Sequence, residues 1–267
     1  MPKICIDPGH GGKDPGAVLG GRHESKDVLS LGLAVGARLA QQGIEVVYTR
    51  TDDVAVSTAD RCSAANRAGC DYYLSLHRDA GVSSAYGISA WVLSKADSAT
   101  LAKAQGIMDE VLAVTPTYNR KVNKGSAQAY TDYGVNTGTT MPSVLFELGF
   151  VTNVGDNDRF DTCFAQYADA ITRGLCKAVG VTYAAKPTTS KTLYRVQVGA
   201  FKSKDNAVNY VATAKAKGYD AFLVDPDKEN PYYRVQVGAF SVKANADNYM
   251  AAVKKDGLNA FIVVYEV

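Results

Sequence analysis

Cysteine is scarce in this chain and badly spaced for structural use. Its five copies, Cys5, Cys62, Cys70, Cys163 and Cys176, are odd in number and contain no Cys-x-x-Cys pair. That excludes a thiolate zinc knuckle and a disulfide scaffold, leaving reduced residues inside apolar patterns. No apolar run reaches the 18 or more residues of a membrane-spanning helix. The N-terminus offers no charged-then-apolar leader, since MPKICID already reads as a strand. Neither GxGxxG nor GxxxxGK(S/T) occurs, so the two common phosphate loops are missing. Charge of one sign is lacking too. The formal net charge of +2 is too small to argue for nucleic acid or an anionic membrane.

What the chain does have is a composition of ordinary globular kind, 46% hydrophobic and 21% charged over 267 residues. That is enough for one α/β domain plus a small second one. The tail holds an internal repeat. The segment 194–224, YRVQVGAFKSKDNAVNYVATAKAKGYDAFLV, recurs at 233–263 with 19 of 31 positions identical. Each copy opens with an alternating strand, continues with helical spacing to Gly218 or Gly257, and closes on a short apolar strand. Two such units make βαββαβ, the split βαβ (RNP-like) sandwich, expected as one domain over 193–267. TYAAKPTTSKT (182–192) reads as the linker before it. Within the strands, Tyr194, Val196 and Val198 share one face, which leaves Gln197 and Gln236 expected on the open side of the sheet.

Residues 1–181 alternate strand-like stretches (3–7, 44–49, 72–76, 87–93, 143–147) with helix-like ones (26–42, 58–69, 97–114, 160–178). The pattern predicts an open, mostly parallel sheet flanked by helices. Ligands gather beyond the carboxyl ends of strands in such sheets. His10, His77 and Glu147 all fall at or just past predicted strand ends.

Only three histidines occur, His10, His23 and His77. Two of them at the ends of different strands in one sheet converge on one crevice, as metal ligands do. GGRHESKDV (20–28) offers a third ligand, His23 or Glu24, at a helix start; its plainer use is an N-terminal cap with an acid favouring the helix dipole. Zinc accepts imidazole and carboxylate and keeps an open position in catalytic sites. Glu147 lies inside VLFELGF, where an unpaired acid is costly. Either an arginine such as Arg120 neutralises it, or it is a general base beside an activated water. The loop 118–138, rich in Tyr, Asn and basic residues, is a candidate substrate surface that includes Arg120.

The motifs IDPGHGGKDPGA, Glu24, SLHRD and PSVLFELGFVTN, in that order over about 1–180, resemble the zinc-dependent N-acetylmuramoyl-L-alanine amidases of bacterial autolysins and phage endolysins. The tail resembles the sporulation-related repeat (SPOR), a peptidoglycan-binding domain. The whole is similar to amidases that lyse the mother cell late in sporulation. The resemblance implies a catalytic domain over 1–181 and hydrolysis of the amide between N-acetylmuramic acid and L-alanine of the stem peptide. It also implies one Zn2+ held by His10, Glu24 and His77, with Glu147 as catalytic acid and base. It implies glycan strands as the tail's partner; the residues themselves argue against nucleic acid, because the tail lacks the aromatic RNP1 string. A non-catalytic wall-binding protein and a zinc peptidase cutting within the stem remain the alternatives. One position departs from the family: Asp79 stands where Ser-x-His-x-Asn has asparagine, and an ionised Asp cannot donate as Asn does. Asp79, Arg120, Gln197 and Gln236 are the candidate substrate contacts. With no leader in view, the expectation is a chain made in the cytoplasm that acts on the wall after lysis or holin-type release.

Overall fold

The computed structural model describes residues 1–115, 117–184, 192–227, 230–240 and 243–266. Two compact units, Met1–Ala184 and Ala185–Val267, make up the chain. Of the linker expected at 182–192, residues 185–191 lie outside the described residues.

The first unit runs β1 (Lys3–Pro8), a short hairpin β2 (Val18–Leu19) and β3 (Arg22–His23), α1 (Glu24–Gln41), β4 (Glu45–Tyr48) and α2 (Thr58–Ala68). It continues β5 (Tyr72–Asp79), β6 (Ile88–Val92), α3 (Ser98–Val114), β7 (Asn119–Lys124), α4 (Gly134–Gly138), β8 (Ser143–Phe150), α5 (Val154–Thr162) and α6 (Phe164–Ala178). The main sheet has the order β4-β1-β5-β8-β6-β7, antiparallel only between β8 and β6. Period-two alternation splits β1 between two cores. Ile4 and Ile6 join Leu31, Val35, Ile107 and Ile171 under α1, α3 and α6. Cys5 faces the other way, toward Ala65 of α2 and Val135 of α4. All five cysteines are free thiols.

Two predicted elements differ from the structure. The helix expected at 160–178 is two helices, because the chain breaks at Cys163 (φ −103°, ψ 16°) and α5 is separately capped by Asn153. The loop expected over 118–138 contains β7 and α4. β7 is a sheet-edge strand with one apolar residue, Val122, so its charged side chains sit where edges are defended and leave no strand pattern to read.

The second unit is β9 (Thr192–Phe201), α7 (Lys204–Ala216), β10 (Phe222–Val224), β11 (Tyr233–Phe240), α8 (Lys243–Lys255) and β12 (Phe261–Glu266). Its antiparallel sheet has the order β10-β11-β9-β12. Both repeats feed one core, with Val196 and Val198 from the first and Val235 and Val237 from the second.

Gln197 and Gln236 do not lie open as expected. They are 2% and 5% exposed. Both sit on the middle strands, in register with Phe261 and Phe222 of the edge strands. Tyr265 pairs with Leu193 near one end of β9 and Arg234 with Ala200 near the other. The hydrogen bond from Arg234 Nη1 to the Tyr265 hydroxyl (2.7 Å) therefore runs across the sheet face over the glutamines. Arg195 stacks on the Tyr265 ring at 3.9 Å.

Candidate metal centre

β1, β5 and β8 are parallel neighbours, so their carboxyl ends open on one edge. His10 follows β1 by two residues, held by the bond from Gly9 N–H to Leu76 O (2.9 Å). His77 lies in β5 directly opposite Glu147 of β8. Glu24 is the first residue of α1, two residues earlier than the apolar pattern predicted. Glycine makes this convergence sterically possible. A Cβ on Gly9 would lie 2.2 Å from the His77 ring, and one on Gly16 2.5 Å from Glu24 Oε2.

The donor atoms meet. Glu24 Oε1 is 3.1 Å from His10 Nε2 and 2.9 Å from His77 Nδ1, and the two nitrogens are 3.1 Å apart. Metal–ligand distances of about 2.0–2.1 Å in a tetrahedron place ligands roughly 3.3 Å from one another, so this triangle fits a zinc-sized ion. It is the one group of three such side chains with converging ligand atoms among the described residues. His23 is not part of it; it holds the N-cap position of α1 without a side-chain capping bond and pairs with Val18 in the hairpin.

His10 and Glu24 are fixed from behind. His10 Nδ1 meets Asp14 Oδ2 at 2.9 Å, which directs the lone pair of Nε2 to the cluster. Glu24 accepts Arg78 N–H on Oε1 (2.9 Å) and Ala17 N–H on Oε2 (2.8 Å). Burial works against its charge, but hydrogen bonds from His10 and His77 outweigh that and hold the carboxyl well below the usual range. The same pairing raises the His10 pKa although burial opposes it.

Glu147 is the opposite case. Its Oε2 is shut from solvent without a hydrogen-bond partner. Burial, then the nearby charges of Glu24 and Asp79, push its pKa well above the ordinary value, against only Arg78. A neutralising bond from Arg120 is absent. Arg120 is exposed, with its guanidinium carbon 5.0 Å from the centre of the Phe150 ring. Asp79 is the register partner of Phe150, while His77 pairs with Glu147, so β8 carries one extra residue between the two pairs. Gly149 takes that bulge at φ +80°. Asp79 accepts Ala80 N–H on Oδ1 (2.8 Å), and burial raises its pKa. Gln197 and Gln236 belong to the other unit.

Reasoning from the sequence missed the supporting groups. Asp14 lies inside the quoted motif, four residues from His10, a spacing that could have flagged it. Arg50, Arg61 and Arg78 give no such signal, because each acts on backbone from a distant segment.

The N-acetylmuramoyl-L-alanine amidase family model matches residues 4–177, and the SPOR domain model matches 190–264. The chain is 34% identical over 226 residues to a sporulation-specific N-acetylmuramoyl-L-alanine amidase of Bacillus subtilis, covering 84% of this chain and 85% of that one. It is equally similar to an N-acetylmuramoyl-L-alanine amidase of Bacillus licheniformis, CwlM, over the same shares. Among solved structures, an N-acetylmuramoyl-L-alanine amidase from Clostridium difficile 630 superposes with a TM-score of 0.63 at 27% identity, over 67% of this chain and 97% of that one. The catalytic domain of CwlV from Bacillus (Paenibacillus) polymyxa var. colistinus gives 0.62 at 29%, over 68% and 100%. With its strand-end cluster and its tandem-repeat tail, the chain belongs to the N-acetylmuramoyl-L-alanine amidase family and carries a SPOR domain behind the amidase unit.

Proposed function

We propose that this chain is a zinc-dependent peptidoglycan amidase that cleaves between N-acetylmuramic acid and the L-alanine of the stem peptide, in the lysis of a cell wall during sporulation. The observation that carries it is the triangle of His10, Glu24 and His77 donors beside a buried, partnerless carboxylate oxygen on Glu147. Those three residues would hold the ion, His10 through Nε2 and His77 through Nδ1. Zinc supplies Lewis acidity there, polarising a carbonyl and lowering the pKa of water. Glu147 takes the proton of the attacking water and delivers it to the leaving amine, a task suited to a carboxyl whose pKa burial raises above the ordinary value. Asp14 holds the His10 tautomer through the reaction. Arg120 and Asp79, both beside Phe150, would meet the stem peptide in this reading.

Glycan strands are the partner of the second unit in this reading. Phe222, Gln236, Gln197 and Phe261 form one row across the four strands, about 14 Å long at the usual strand spacing. The two rings are 47% and 38% exposed. The two glutamines between them are buried, so the rings are what this row offers to a ligand. Sugars offer apolar ring faces that stack on such aromatic rings. Replacing Phe222 and Phe261 together by Ala should weaken sedimentation with purified glycan strands about ten- to a hundredfold, the worth of one buried aromatic. Unchanged sedimentation would remove this face from the binding account.

The test of the whole reading is metal content combined with digestion of purified sacculi. One zinc per chain and new L-alanine amino termini are expected. Zinc with new termini elsewhere in the stem would make the chain a peptidase. Absence of zinc would end the proposal.

A further inference from the structure

His10 occupies the left-handed region of backbone space at φ +58°. A non-glycine residue is strained there and stays only where its surroundings over-determine it. Two arginines from other elements do so. Arg50 follows β4 and Arg61 lies in α2, at 4% and 6% exposure. Arg50 donates from Nε to Pro8 O (2.9 Å) and from Nη2 to Gly9 O (2.7 Å). Arg61 donates from Nη1 to Pro8 O (2.7 Å) and from Nη2 to His10 O (2.7 Å). Three consecutive carbonyls of the turn are thus received by guanidinium groups.

Arg50 reaches further. Its Nη2 also donates to Ser25 O at 2.8 Å, one residue past Glu24. One side chain therefore ties the turn that carries His10 to the helix start that carries Glu24. Arg61 is anchored by Asp7, whose Oδ1 accepts its Nη1 at 2.6 Å. Ser75 of β5, the strand of His77, donates to the other oxygen of Asp7 at 2.7 Å. The segments of all three candidate ligands meet in this buried ionic network, although none of its side chains is a candidate ligand itself.

We infer that Arg50 and Arg61 are positioning residues that set the spacing of His10 against Glu24, so that the metal finds its ligands already in place. The inference rests on the metal-centre reading above. Arginine is required because its planar fork addresses several carbonyls in fixed directions. A lysine ammonium at Arg50 cannot serve Pro8, Gly9 and Ser25 together.

The test uses the full chain with Arg50→Lys and, separately, Arg61→Lys. Zinc affinity is measured by chelator competition, and the visible absorption of the cobalt(II)-loaded protein reports ligand geometry. Circular dichroism of the metal-free proteins reports folding. Expected are folded variants whose zinc affinity falls about 10- to 100-fold, the usual loss for groups that orient ligands, with an altered cobalt spectrum. Wild-type affinity and spectrum in both folded variants would overturn the inference while leaving the metal centre intact. If only one variant folds, its affinity and spectrum decide. Loss of fold in both would also overturn it, by assigning the arginines to folding. A wild-type chain that binds neither ion would remove the metal reading and this inference with it.

Discussion

Glu147→Gln should lower the rate of amide hydrolysis by about 10²–10⁴, the worth of a positioned proton-transfer group, while the metal-free protein melts at a higher temperature than wild type. Both effects have one cause. Oε2 of Glu147 is buried without a partner, and burial with the charges of Glu24 and Asp79 lifts its pKa well above the ordinary value. An unfolded glutamate titrates near 4.3. Below that value the side chain is protonated in both states and costs little. As pH rises from there toward the folded pKa, folding must take up a proton, so the stability contribution of Glu147 falls. Above the folded pKa the full penalty of the buried charge remains. Glutamine has the same shape and no charge, so the variant gains nothing near pH 4 and most near pH 8. The gain is on the order of 1–3 kcal/mol, the cost of a buried group left unsatisfied, or roughly 2–4 °C of melting temperature per kcal/mol at this size. Paired melts in chelator at pH 4, 6 and 8 read this directly. A difference that is flat with pH, or has the opposite sign, would show that the surroundings of Glu147 do not raise its pKa. Zinc content should be the same in both proteins, since Glu147 is not among the converging ligands.

Much of the site was legible in the sequence because it follows from topology. Alternation marks β1, β5 and β8, and parallel neighbours must end on one edge, which brings His10, His77 and Glu147 together. Glu24 was harder. The apolar pattern starts α1 later than the hydrogen bonds do, and only the family resemblance chose Glu24 over His23. Elements without an apolar signature were not readable. β7 is an edge strand of Asn, Arg and Lys, and the break between α5 and α6 depends on a local cap at Asn153. The glutamines fail for a related reason. Alternation places Gln197 on the face away from the valines, but it cannot show that Arg234 and Tyr265 reach across that face from other strands. Period two gives sides, and burial depends on what long side chains do afterwards. Arg50 was silent because its partners are backbone carbonyls, which every sequence has, and Arg61 because its one acidic partner, Asp7, lies far away in the chain.

Glu24→Gln and Glu24→Ala should both lose the metal, but for stability they should part. Glu24 Oε1 stands 3.1 and 2.9 Å from the two ring nitrogens, so it is the one anionic donor in the triangle. Without its charge, two neutral imidazoles face a dication alone, and zinc-dependent hydrolysis should fall to background. The loss is also visible without activity. A metal that binds only the native state raises stability by RT ln(1 + [L]/Kd), about 2.7 kcal/mol at a hundredfold excess over Kd. Zinc should therefore raise the melting temperature of wild type and leave both variants where they are. The difference between the variants comes from the backbone. Glu24 also accepts N–H groups of Arg78 and Ala17. Alanine leaves both donors unpaired in a buried corner, at about 1–3 kcal/mol each, so the metal-free Glu24→Ala protein should melt well below metal-free wild type. Glutamine keeps one carbonyl oxygen and can satisfy one of the two donors, so its metal-free melting point should fall between. His77→Ala serves as the control, because it removes a ligand and neither of those acceptors. A zinc-induced rise of wild-type size in Glu24→Gln would take Glu24 out of the ligand set. Equal melting of the two metal-free Glu24 variants would show that its backbone contacts contribute nothing to the fold.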